Sequence, residues 1–146
     1  MKKKSATINP MSLIAANQTM GDDADEHMLP FLIHVEEIRM GRGNQDNYDV
    51  CSVFLQAMLS TSASYRNKDL KEIVHSACVA WIEADKRRKS LNTERMLLTG
   101  DQMNAISKAI RFFLIAMPQV KVGIWVSAVM HGKDVLERSI KYGNYA

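Results

Sequence analysis

A chain of 146 residues, 47% hydrophobic and 24% charged, has room for one domain and enough apolar surface for a core, which excludes wholesale disorder and a fibrous repeat. Its formal net charge of +3 argues against a mimic of nucleic acid, which needs a strongly acidic surface. The two cysteines, Cys51 and Cys78, fall among apolar residues at helical spacing. That is the pattern of reduced, buried thiols in a cytoplasmic protein, not of a secreted disulfide framework.

The chain opens on Lys2, Lys3 and Lys4, and the stretch after them, with Asn9, Pro10 and Asn17, holds no apolar run of signal-peptide length. Residues 1–22 are therefore expected to form a flexible basic arm on a helical domain spanning 23–146, in the cytoplasm. The first helix is expected from about 23–25 to Met40, with Met28, Leu32, Val35 and Ile38 or Arg39 along one side. Pro30 is tolerable in a first turn, so ordered helix is also compatible with a start at Leu29. Gly41, Arg42 and Gly43 stop this helix, and Asn44 caps the next. Val50, Cys51, Phe54, Leu55, Met58 and Leu59 give the second helix its face, and the polar cluster 60–64 is expected to end it. After a turn at Arg66 and Asn67, a third helix carries Leu70, Ile73, Val74, Ala77, Cys78, Trp81 and Ala84 and finishes in Lys86, Arg87, Arg88 and Lys89.

The strongest local signal lies in residues 96–117. Thr99 with Gln102 three residues on is a capping box, Leu98 and Met103 stand where a hydrophobic staple closes, and Asp101 favours the positive end of the helix. Met103, Ile106, Ile110, Phe113, Leu114 and Met117 recur at steps of three and four. This widest stripe predicts the central helix of a bundle, with Phe112 and Ile115 lying off it.

Residues 112–130 are apolar enough to raise a membrane span, but Pro118, Gln119 and Lys121 sit mid-segment, where a bilayer penalises them. Two buried helical segments joined at the proline fit better. Within 120–130, Val120, Val122, Ile124 and Val126 alternate as in a strand, whereas Val122, Trp125, Val126, Val129 and Met130 fit a helix. No other segment alternates to pair with a strand, so a helix is expected. Gly132 would end it, leaving a short last helix over 133–142 with Val135, Leu136 and Ile140 inward. The whole reads as an all-α, single-domain bundle of about five helices.

Chemistry is harder to find. His27, His34 and Glu37 share a helix face, but there is no Glu-x-x-His pair, no CxxC and no HExxH, so surface histidines and no metal are expected. His75 lies one turn before Cys78, yet a thiol among Val74 and Trp81 is inert. The glycine turn before Asn44 lacks GxxxxGK[ST], and Asp46 and Asp49 sit where a phosphate would go. No catalytic residue and no cofactor is expected.

Charge is uneven. Residues 22–49 carry Asp22, Asp23, Asp25, Glu26, Glu36, Glu37, Asp46 and Asp49 against Arg39 and Arg42, whereas bases outnumber acids over 66–111. Such separation orients a partner or a second copy, and it also occurs on the solvated surface of ordinary bundles. Lys86, Arg87, Arg88, Lys89 and Arg95 are candidate nucleic-acid contacts, although bases at a helix C-terminus also complement its dipole. Phe112, Ile115 and Trp125 are candidate partner contacts, and the ten methionines suit adaptable apolar surfaces or a plain core.

GRGNQDNYD before the second helix and MLLTGDQMNAI before the fourth together resemble a group of small helical accessory proteins of proteobacterial phages, plasmids and integrated elements, over residues 29–117. The resemblance implies an accessory product without established enzymatic activity and carries over no functional residue. The expectation is a non-enzymatic interaction protein that binds a protein partner or self-associates. The alternative is a nucleic-acid-binding regulator using the basic cluster.

Overall fold

A computed structural model describes residues 17–142. Among them are five helices, α1 (Ala24–Arg39), α2 (Gln45–Ser64), α3 (Lys68–Ser90), α4 (Gly100–Ala116) and α5 (Val122–Tyr142), with single 3-10 turns at Gly21–Asp23 and Met117–Gln119. The fold is the all-α bundle that the periodicities predict. No helix among the described residues is long and apolar enough to cross a membrane.

Local chemistry sets the helix starts. Asn44 and Asn47 form a reciprocal capping box on α2, as do Thr99 and Gln102 on α4, while the Asn67 side chain accepts from Leu70 N–H at the start of α3. Each cap satisfies donors that the first turn leaves open and is worth about 1 kcal/mol. Gly41 takes a φ of +76° after α1, the left-handed conformation that ends a helix and that glycine adopts without strain.

The arrangement differs from expectation at its centre. α2, not α4, is the middle element: α1, α3 and α5 all pack on it, whereas α4 lies along α3 and meets α1 only lightly. The reason is that α2 buries small and apolar residues on several sides, Cys51, Leu55 and Met58 as well as Val53, Ala57 and Thr61. Helix α4 buries one narrow strip, Gln102, Ile106, Ala109 and Phe113. Its Met103, Ile110 and Leu114 are only half-buried.

Four local expectations are also corrected. Residues 60–64 continue α2 instead of ending it, because Thr61 and Ser62 are buried and Ser62 Oγ donates to Met58 O at 2.8 Å; a hydroxyl satisfied on its own helix needs no loop. Pro30 sits inside α1 on its exposed side, where water takes the carbonyl that a missing N–H leaves open. Phe31 replaces Leu32 in the core, fully buried and stacked on Phe54 with ring centroids 5.5 Å apart. Gly132 does not stop α5, which runs unbroken to Tyr142. A Cβ at Gly132 would lie 2.8 Å from Val53 O, so the glycine marks close approach of two helix backbones, not a helix end.

The first sixteen residues of the expected 1–22 arm lie outside the described residues. Residues 18–22 are already part of the domain: Met20 N–H donates to Val120 O at 2.8 Å, Val122 N–H donates to Gln18 O at 2.9 Å, and Met20 is buried.

Tyr48 ties the remaining loop down. Its hydroxyl accepts from Met96 N–H at 2.8 Å and faces Glu94 O at 2.8 Å and Gly43 O at 3.1 Å, donating its one proton between them. Met96 is buried, so Tyr48→Phe strands its N–H away from water. A loss of about 1–3 kcal/mol is expected, read as a lower urea midpoint at unchanged slope; a variant as stable as the parent would show that the hydroxyl does not hold this loop.

Candidate interaction surface

The basic cluster at the end of α3 is largely committed to the fold. Arg87 donates to Leu97 O and, at 2.9 Å, to Gln102 Oε1, the same oxygen that accepts from Thr99 N–H in the α4 cap. Arg88 grips Asp85 through two nitrogens at 3.1 and 2.8 Å and lies 4.8 Å above the Tyr48 ring. Lys89 pairs with Asp85 at 3.0 Å. Lys86 and Arg95 are exposed. The run therefore forms no continuous cationic face: its two arginines join α3 to α4 and to α2, and Lys86 points elsewhere.

The expected partner contacts also separate. Ile115 is 71% exposed and Phe112 is 41% exposed on α4, with the Arg111 guanidinium 5.9 Å from the Phe112 ring. Trp125 is instead part of the core, 2% exposed, with its ring 5.8 Å from that of Phe54 and 5.6 Å from that of Phe113. Its place at the start of α5, where α4 turns back through Met117–Gln119, puts it inside the bundle and removes it from any surface.

His34 and Cys78 have structural partners. His34 Nδ1 lies 2.7 Å from Asn47 Nδ2, and Asn47 Oδ1 is fixed as an acceptor by Asn44 N–H. The amide therefore donates to His34, whose proton sits on Nε2. Glu37 is paired with Arg42, which holds its carboxyl below the usual range through the hydrogen bond it accepts. Among the described residues no three metal-ligating side chains come together. Cys78 Sγ donates to Leu55 O at 3.7 Å and is not engaged by His75.

Burial pushes the Cys78 thiol up to about 11 and that of Cys51 up to about 12. At pH 8 Cys78 is expected to alkylate far more slowly than a free thiol and Cys51 only on unfolding, which timed labelling and mass spectrometry resolve. The unfolded chain gives up these protons near the ordinary 9.0 while the folded chain keeps them. Their contribution to stability is thus complete below pH 9 and is lost as the pH rises through 11 to 12.

One feature of the surface is announced by no single segment. Helices α3 and α5 both pack on α2 but diverge from one another, leaving a groove of about 430 Å³. Leu55, Ser52 and Gln56 of α2 form its floor, Trp81, Ile82, Cys78 and Lys86 of α3 one wall, and Val135, Leu136 and Ser139 of α5 the other. Trp81 Nε1 donates to Ser52 Oγ at 2.8 Å, so the indole stands fixed in the wall. Val135 and Ile140, expected inward, are 36% and 58% exposed, because nothing among the described residues crosses from α3 to cover them. Asp85 also lines the groove, but Arg88 and Lys89 offset its charge. Lys86 makes no such pair among the described residues, and His75 and Lys71 continue the stripe of Cys78, Ile82 and Lys86 along α3 by helical steps. The groove is thus apolar at its base and basic at the Lys86 end of its α3 wall. Comparisons of this chain with protein-family models, with curated proteins and with solved structures find no match.

Proposed function

We propose that this chain is a non-enzymatic helical interaction protein, an accessory product of a phage, plasmid or integrated element, that works by receiving a helix in the groove between α3 and α5. The observation that carries this reading is the apolar slot over α2, flanked by Ile82, Val135 and Leu136 and left uncovered by the rest of the described chain. Slots of this kind bind the apolar face of an amphipathic helix through residues spaced by three and four. The nucleic-acid alternative draws less support, since Arg87 and Arg88 are engaged within the bundle.

Capture from the native lysate tests the reading, with the parent chain beside Ile82→Glu and, as a control on another face, Ile115→Glu. A protein retained by the parent and by Ile115→Glu but lost with Ile82→Glu supports groove recognition. Retention independent of Ile82 would overturn it. Salt-sensitive binding of duplex DNA that disappears on neutralising Lys86 and Arg95 would put the alternative in its place.

A further inference from the structure

Resting on the groove as a binding surface, we infer that its occupant is helix α1 of a second copy of this chain. Along the outer side of α1, Leu29, Ile33 and Met40 are each about half exposed, at 51, 54 and 51%. They are spaced by four and seven residues, so they form a single stripe. Acids flank its first two residues, with exposed Asp25 and Glu26 before Leu29 and Glu36 between Ile33 and Met40. Glu36 is held in an exposed pair with Arg39, which costs little to rearrange. The inner side of α1 is already spent, since Phe31 stacks on Phe54 of α2. An apolar, acid-flanked face is therefore turned outward with nothing in the described chain against it.

The groove carries the complement. Its α3 wall runs from Cys78 through Ile82 to Lys86, a rise of about 12 Å along the helix. On α1 the stretch from Leu29 through Ile33 to Glu36 rises about 10 Å. Apolar pair and acid thus match apolar wall and base in order and closely in length. Leu29 and Ile33 would fill the slot over Leu55, and the Glu36 carboxylate would meet Lys86.

The contact has to be between copies. Phe54, which faces α1, is two residues from both Ser52 and Gln56 of the groove floor, so the two surfaces lie on opposite sides of α2. No chain reaches its own groove with its own α1. The association is consequently head to tail, each copy giving a helix to one neighbour and taking one from the other.

Two variants at exposed positions test this with the full chain: Ile33→Lys, which spoils the donated helix, and Ile82→Glu, which spoils the groove. Circular dichroism and melting serve as checks that both fold. Sedimentation velocity of the parent over a concentration series should show mass rising above the 16.5 kDa monomer and falling with added salt, and each variant alone should lose at least tenfold in association. Mixed one to one, the variants retain one competent helix and one competent groove between them and should form a dimer that grows no further. A parent that stays monomeric throughout, a variant that associates like the parent, or a mixture that fails to recombine would overturn the inference. If the parent is monomeric while Ile82-dependent capture of another protein persists, the groove reading stands and only the second copy falls; if both fail, both fall.

Discussion

Phe113→Ala is expected to be the most damaging single truncation in the described chain. Phe113 is fully buried on α4, with its ring against that of Trp125 at the start of α5 and Met117, equally buried, one turn further on. Removing the ring takes away the contact by which α4 is joined to α5, and neighbours on three helices cannot all collapse into the space. Such truncations cost about 3–5 kcal/mol, against the roughly 5–15 kcal/mol that holds a domain together. A urea melt should show the midpoint falling sharply at constant slope. A loss of less than about 1 kcal/mol would mean that the junction of α4 and α5 is not held by this ring.

Gly132→Ala should destabilise as well, against the local rule. In an isolated helix the change gains about 1 kcal/mol. Here the new methyl would fall 2.8 Å from Val53 O and 3.3 Å from Val53 Cγ1. The carbonyl belongs to the middle of α2 and has no rotamer to escape into, so the helices must separate, at a net cost of about 1–3 kcal/mol. Val53→Ala on the same background relieves the Cγ1 contact and leaves the carbonyl, and is not expected to restore stability. Stabilisation by Gly132→Ala, or full rescue by Val53→Ala, would show that the backbone approach is not what the glycine serves.

These two residues also show where sequence reading ends. Phe113 stands in a stripe and is recognised by its spacing alone, as the caps at Asn44 and Thr99 are recognised by residues three apart, because helix starts are decided within one turn. Gly132 gives the same letter for a helix end and for a close crossing, and only the position of Val53 on a helix some eighty residues earlier distinguishes them. Thr61 and Ser62 are misread for the same reason: hydroxyls suggest a loop until a neighbouring helix covers them. The candidate site divides likewise. Lys86 is visible in the chain as a base near a helix end, but the groove beside it exists because α3 and α5 diverge, a relation between elements that no local pattern contains. Trp125 reads as surplus apolar surface because its two aromatic neighbours come from α2 and α4.

The hydrogen bonds between Met20 and Val120 and between Gln18 and Val122 put a timetable on the nascent chain. The segment that leads into α1 finds its partners only after about a hundred further residues have been made, which at roughly 5–20 residues per second takes about 5–20 s. Through that interval α1 and α2 exist without the residues that anchor the start of the domain, and the buried side of Met20 has nowhere to go. Pausing translation before Val120 and Val122 have left the ribosome should therefore lengthen the lifetime of an open, protease-sensitive N-terminal end, whereas pausing it once they are clear should not.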